Sequence, residues 1–336
     1  ALLSVYDKTG IVEFGKQLLK LGYQLISTGG TYQILKENGL EVTKVDEITG
    51  FPEILEGRVK TLHPRIHGGI LAKRNIQHLE ELREHRIDPI DLVAVNLYPF
   101  ETVVSKNGVT LDEALENIDI GGPAMVRAAA KNFEDVVVVV DPKRYLKVID
   151  RIKADSMDFG FRKELALEAF LHTSTYDAAI ATYLSGGSCC AFSACSGKEL
   201  RYGENPHQQA AIFSVTAGSA NFYQQGTGLA DISPLQGKPL SYNNCLDAYA
   251  AWGLVNEFAE PASTIIKHNN PCGVAIADDS LTAYKRALAS DPVSAYGGIA
   301  AFNKTVEEDL AKELVKNFYE VIAAPAFTDE SLKVFS

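Results

Sequence analysis

The chain has 336 residues, 46% of them hydrophobic and 22% charged, with 32 Lys and Arg against 43 Asp and Glu. That length suggests two domains, with one or three also open, and it allows a core that needs neither metal nor disulfide. A net charge of −11 repels polyphosphate and argues against nucleic acid as the main ligand, although a local basic pocket can still hold a small phosphorylated one.

In chain order, Ala1–Tyr6 reads as a strand. Ile11, Phe14, Leu18 and Leu21 form a helical stripe closed by Gly22. Tyr23–Ser27 is a second strand, followed by Thr28-Gly29-Gly30-Thr31 and a helix to about Asn38. Strands are expected again at Asp91–Tyr98 and Asp135–Val140. The second contains five consecutive Val, Val136–Val140, as suits a strand buried on both faces of a parallel sheet. Helices are expected near Leu79–Arg86, Leu111–Glu116, Pro123–Lys131, Pro142–Lys153 and Arg162–Leu184. This rhythm indicates a doubly wound α/β domain over 1–184.

Small, polar Ser185–Lys198 reads as a linker. The uncharged run Ala178–Gly197 spans twenty residues but is too broken by Ser and Gly to cross a bilayer, so no membrane is expected. Five Cys is an odd number in a chain with no leader-like start, which reads as reduced cytoplasmic thiols. Cys189, Cys190 and Cys195 have no matching set of ligands and read as incidental. A second α/β unit is expected over 199–336, with strands at Ser263–His268 and Gly298–Phe302 and helices at Ser280–Ser290 and Val306–Phe318. Both ends of the chain read as cut.

The loop Ser27–Thr31 joins a strand to a helix. Its glycines let backbone N–H groups approach an anion, yet a plain tight turn fits equally well. Arg58–Arg74 holds five Lys or Arg, two His and no acid, either an anion site around Arg58, Lys60 and Arg65 or a solvated basic face. The breaks at Pro64 and Gly68-Gly69 favour a loop. His63 and His67 are spaced like metal ligands, but Pro64 argues against a regular helix through both and no carboxylate completes a set. They read as structural or hydrogen-bonding, with no metal expected. Asn96-Leu97-Tyr98-Pro99 follows a buried strand, where ligands bind in open α/β sheets. Asp119-Ile120-Gly121-Gly122 opens a helix behind a carboxylate, which is either a cap or a reacting group. In the second half, Lys267 and His268 end a strand. They reach one site only if the backbone turns at Asn269-Asn270-Pro271. Pro271-Cys272 lacks the further Cys and the His-x-Glu of a zinc deaminase.

Taken in order, Ser4–Gly10, Ser27–Thr31, Gly57–Pro64, Asn96–Phe100, Asp119–Gly122 and Arg127–Asn132 resemble the bifunctional purine-biosynthesis family that joins IMP cyclohydrolase to AICAR transformylase. The resemblance implies a methylglyoxal-synthase-like parallel-sheet domain that closes formyl-AICAR ribonucleotide to IMP without a cofactor. By that resemblance Ser4, Lys8, Ser27, Thr28, Gly29, Gly30 and Thr31 hold the phosphate. Arg58, Thr61, Asn96, Gly121 and Gly122 line the rest of the nucleotide site. Lys60, Tyr98, Asp119 and Lys131 carry the chemistry. Arg201–Gln208, Ser241–Asn244, Lys267–Gly273 and Asp291–Gly298 resemble the family's transformylase domain, a deaminase-like α/β fold without zinc. There the resemblance makes His268 the general base, Lys267 its electrostatic partner, and Arg201, Tyr202 and Asn244 nucleotide contacts. The co-substrate is 10-formyltetrahydrofolate, and the assembly a homodimer. The family's domain continues beyond Ser336, so the transformylase is expected to be partial. A regulatory nucleotide or phosphate sensor of the same fold is the alternative reading, and methylglyoxal synthase itself a second.

Overall fold

The computed structural model describes residues 1–106, 108–186, 188–189, 192–217 and 228–336. The chain divides into two compact units, one built on Ala1–Ser193, the other on Ala194–Val215 and Gln225–Ser336.

The first unit carries β1 (Leu2–Val5), α1 (Ile11–Lys20), β2 (Ile26–Ser27), α2 (Gly29–Glu37), β3 (Thr43–Lys44), α3 (Val45–Thr49), α4 (Pro64–Leu71), α5 (Ile76–Glu84), β4 (Leu92–Asn96), α6 (Phe100–Val104), α7 (Leu111–Glu116), α8 (Gly121–Lys131), β5 (Val137–Val139), α9 (Tyr145–Lys153) and α10 (Phe159–Leu184). Its five strands lie in the order β3-β2-β1-β4-β5, and all the pairings are parallel. Every residue of β4 and β5 is buried, as expected where helices cover both faces. The apolar stripe of α1 (Ile11, Phe14, Leu18) packs into the same core as Leu2, Leu3, Val93 and Val138. The strand order reverses between β1 and β4. In open parallel sheets that switch point opens a crevice at the carboxyl ends of the two strands.

Two local expectations fail. Arg58–Arg74 is not a loop throughout, because Pro64 opens α4. Its ring occupies the first helical position, where the missing N–H costs nothing, and His63 caps the helix by accepting the N–H of Arg65 on Nδ1 at 3.1 Å. Residues 185–198 are not simply a linker, since Phe192–Glu199 forms β6, which pairs with β7 (Ala211–Ala217). Cys189 is an exposed free thiol, while Gly187, Cys190 and the side chain of Cys195 lie outside the described residues.

The second unit continues with α11 (Tyr242–Val255), β8 (Ala262–Lys267), β9 (Asn270–Ile276), α12 (Ser280–Ser290), β10 (Gly298–Phe302), α13 (Glu308–Leu314), β11 (Tyr319–Ala323) and α14 (Asp329–Val334). Its sheet is mixed, in the order β11-β10-β8-β9. β8 runs antiparallel to both β9 and β10, and β10 runs parallel to β11. The β8–β9 hairpin went unforeseen because Asn270-Pro271 reads as a breaker. Its turn is two residues, His268 and Asn269, both at positive φ (53° and 62°), as a primed hairpin turn requires. Among the described residues no helix is long and apolar enough to cross a membrane.

Candidate active site

The main cavity of the first unit, about 1160 Å³, opens at the switch point. Ser4, Lys8, Thr28, Gly29, Gly30, Thr31, Arg58, Lys60, Thr61, Asn96, Tyr98, Asp119, Gly121 and Gly122 all line it. These residues come from separate stretches of sequence, and the sheet topology brings them together.

The floor is tied together by side chains at the ends of β1, β2 and β4. Ser4 Oγ lies 2.7 Å from Thr28 Oγ1. Buried Thr31 receives the N–H of Val5 on Oγ1 and returns its hydroxyl proton to the carbonyl of Val5, each at 3.0 Å. Lys8 donates to the same carbonyl and, at 3.2 Å, to Thr31 Oγ1, and burial lowers its pKa. Asn96 Oδ1 accepts the N–H groups of Tyr6 (2.6 Å) and Asp7 (2.9 Å), fixing the turn after β1 to the end of β4. Asn96 and Thr31 are therefore braces as much as ligand groups. Ser27 is fully buried and gives its hydroxyl to the carbonyl of Leu3 at 2.6 Å, so that hydroxyl is already committed within the sheet. Above this floor α2 begins at Gly29 (φ 45°), and its first N–H groups have no partner within the helix.

One wall is the basic segment. Lys60 is half-buried and forms an ion pair with Glu53, and exposed Arg58 pairs with Glu116. Lys60 also borders a smaller adjoining cavity of about 380 Å³ with Glu53, Phe51 and Lys44. Thr61 packs against the start of α8, where a β-carbon on Gly121 would come within 2.7 Å of its Oγ1. Arg65 does not line the cavity, and donates instead to the carbonyl of Ile48 at 3.0 Å.

Tyr98 and Asp119 also line the cavity. Tyr98 is 51% exposed and packs at a tilt against Tyr6, with ring centroids 5.2 Å apart. Asp119 Oδ1 accepts the N–H of Gly122 at 2.9 Å. Burial raises the Asp119 pKa, opposed by the N–H groups of Gly122 and Gly121. A β-carbon on Gly122 would push the Asp119 carboxylate and the Leu97 side chain out of their present places. Lys131 is not brought to this site. It is exposed at the last turn of α8, the opposite end of that helix from Gly121, and does not line the cavity.

Four supporting residues escape a reading of the sequence. Glu53 and Glu116 lie outside the acid-free segment they neutralise, and only the fold brings them to it. His172 and Tyr176 sit in α10. His172 Nε2 accepts the N–H of Leu97 at 3.3 Å, and Tyr176 Oη accepts the N–H of Asp119 at 2.7 Å. Their four-residue spacing was a readable sign of a shared helix face, but its target was not.

In the second unit, Lys267 donates to the carbonyl of Tyr296 at 2.6 Å, and the exposed turn His268-Asn269 presents its N–H groups to the Asp247 carboxylate at 3.2 and 2.7 Å. Arg201 lies over the ring of Tyr202 at 5.0 Å and reaches Asn244 Oδ1 at 3.5 Å. That oxygen also accepts the N–H of Ser241 in the capping box of α11, so Asn244 is buried and largely structural. Among the described residues no cluster of His, Cys, Asp or Glu could hold a metal. Cys245 and Cys272 are free thiols whose pKa values are raised by burial.

Two family models match the chain: an MGS-like domain over residues 10–124 and the AICARFT/IMPCHase bienzyme over residues 129–336. Proteins described as bifunctional purine biosynthesis protein PurH are similar along nearly its whole length. The one from Thermoanaerobacter sp. (strain X514) is 51% identical over 346 positions, covering 99% of this chain and 66% of that protein. The one from Desulfitobacterium hafniense (strain DSM 10664 / DCB-2) is 51% identical over 348 positions, covering 98% and 65%. The chain thus spans just under two thirds of the length of these relatives. The crystal structure of ForH is also similar, with a TM-score of 0.51 at 37% identity, covering 56% of this chain and 97% of that one. With both halves matched and the cavity assembled from the motifs of the first, the chain belongs to the AICARFT/IMPCHase bienzyme family.

Proposed function

We propose that the first unit closes the ring of formyl-AICAR ribonucleotide to give IMP and water. The observation that carries this is the single cavity, in which an anion cradle at the start of α2 faces Lys60, Tyr98 and Asp119. The nucleotide phosphate binds the N–H groups of Gly29, Gly30 and Thr31, helped by Ser4, Thr28 and Lys8, because a helix N-terminus and a nearby ammonium both favour negative charge. Arg58 and Thr61 hold the remainder.

In the reaction the carboxamide nitrogen attacks the formyl carbon. Asp119 takes the proton from that nitrogen, and its raised pKa suits a base working near neutral pH. Negative charge developing on the formyl oxygen is met by Lys60 and Tyr98, which stabilise and protonate it. A carbon–nitrogen bond forms to give a carbinolamine. Its hydroxyl takes the proton that Asp119 received and leaves as water, while the former formamide nitrogen gives up its N–H proton to the base left on Lys60 or Tyr98 and closes the ring C=N bond. No electrons are gained or lost, so the step calls for no redox cofactor. Lys131, at the far end of α8, has no direct part in this scheme.

For the second unit the proposed activity is formyl transfer from 10-formyltetrahydrofolate to the 5-amino group of AICAR ribonucleotide. His268 acts as base and Lys267 as its electrostatic partner, with Arg201, Tyr202 and Asn244 near the nucleotide. The relatives' description as bifunctional supports this reading. Homodimerisation and a cytoplasmic setting belong to the same proposal, which involves neither nucleic acid nor a membrane partner. A sensor would need the phosphate cradle alone, and the match over 129–336 does not favour it. The test is incubation of the chain with formyl-AICAR ribonucleotide while IMP is followed. Absence of IMP would overturn the reading.

A further inference from the structure

We infer that α10, through His172 and Tyr176, is the element that sets Tyr98 and Asp119 in register with each other. The inference rests on the reading that these two residues act in ring closure. Tyr98 and Asp119 come from different loops, one after β4 and one before α8, and a bond-forming step needs both held to a fraction of an ångström. Each loop is gripped at its backbone by one side chain of the same helix. His172 Nε2 accepts the N–H of Leu97, the residue before Tyr98, at 3.3 Å. Four residues on, and so on the same face of α10, Tyr176 Oη accepts the N–H of Asp119 at 2.7 Å and donates to the carbonyl of Asn117 at 3.3 Å.

The two loops also meet between these grips. Leu97 lies so close to Gly122 that a β-carbon there would approach its Cδ2 to 2.8 Å, and Gly122 in turn holds the Asp119 carboxylate. Tyr176 is buried, and its ring packs edge-on against Phe100 at 6.3 Å, so the phenol is rigidly mounted. His172 can accept only as a neutral imidazole, and burial, which lowers its pKa, keeps it so. These are positioning residues, since neither lines the cavity.

The experiment uses Tyr176→Phe, which keeps the ring and removes both hydrogen bonds, and His172→Ala with His172→Gln, whose amide oxygen can still accept. Each variant is compared with Tyr98→Phe and Asp119→Asn for kcat and KM of ring closure, with a thermal melt recorded alongside. Displacement of one group by about 1 Å can cost roughly 100-fold. Accordingly, Tyr176→Phe and His172→Ala should lower kcat by a factor approaching that, with KM within a few-fold of the parent. His172→Gln should recover much of the loss. Reduced kcat in Tyr98→Phe and Asp119→Asn, beside undiminished kcat in folded Tyr176→Phe and His172→Ala, would overturn the inference alone. Full activity in Tyr98→Phe and Asp119→Asn would overturn the reading beneath it, and the inference with it. A loss confined to thermal stability, or equal loss in His172→Gln and His172→Ala, would assign α10 a merely structural role and overturn the inference.

Discussion

Lys60 and Asp119 illustrate how differently two site residues are supported. Lys60 borders two cavities and is neutralised by Glu53, so it is available to an incoming anion at the expense of one half-exposed ion pair. Lys60→Ala should lower kcat for ring closure by roughly 10²–10³-fold, the scale of losing one stabiliser of a developing oxyanion, with an unchanged melting curve. Unchanged turnover would remove Lys60 from the mechanism. Asp119 is held in a half-buried position that disfavours its charge. Its folded pKa lies above the ordinary 3.8, so between the unfolded and folded values the native state binds more protons, and stability falls as pH rises through that window. At neutral pH the ionised group therefore subtracts stability. Asp119→Asn should raise Tm at neutral pH while reducing ring closure by roughly 10²–10⁴-fold. The acid limb of the kcat/KM profile should lie above that of an ordinary aspartate. A variant that is both active and no more stable would contradict the assignment. Residue identity was legible here because each motif carries a charged or hydroxyl side chain beside glycine. The committed state of Ser27 and Asn244 was not legible, since it depends on which carbonyl or N–H the fold brings within 3 Å.

Helix starts were the least readable elements, and the reason differs at each. Pro64 suggested a break but is the first residue of α4, because proline is disruptive only where an N–H is needed. Periodicity placed α5 three residues late, since its first turn is fixed by the Asn75 cap rather than by apolar residues. By contrast Leu111–Glu116, Ser280–Ser290 and Gly298–Phe302 were recovered to the residue, each bounded by a clear cap or glycine. The start of α2 leads to a direct expectation. In crystals soaked with IMP, phosphate density should lie against the N–H groups of Gly29 and Gly30, and density elsewhere would refute the cradle. The His268-Asn269 turn gives another. Asp247 receives both of its N–H groups, and Asp247→Ala should destabilise the chain by about 1–2 kcal/mol in chemical denaturation, with ring closure unaffected. No loss of stability would mean the turn holds without its carboxylate.

At the scale of the molecule, the described residues that line the main cavity of the first unit all fall between Ser4 and Met125, within that unit. His268→Ala should therefore leave the kcat and KM of IMP formation at parental values, and a matching fall in ring closure would show the two sites to be coupled. The alternation of strands and helices revealed the parallel sheet because its strands are short, apolar and separated by amphipathic helices. The mixed second sheet was only half visible, since an antiparallel hairpin with a two-residue turn leaves no helix between its strands. The pairing of Arg58 with Glu116 and Lys60 with Glu53 has a consequence for how this acidic molecule, of net charge −11, meets its ligand. On the proposed function, binding becomes an exchange of anions, in which two resident carboxylates return to water as the nucleotide takes their place. Exposed pairs of this kind are worth at most about 1 kcal/mol, so the exchange is easy for a ligand with several contacts. The affinity of the site for the proposed nucleotide should therefore fall less steeply with salt than the count of its cations alone would imply.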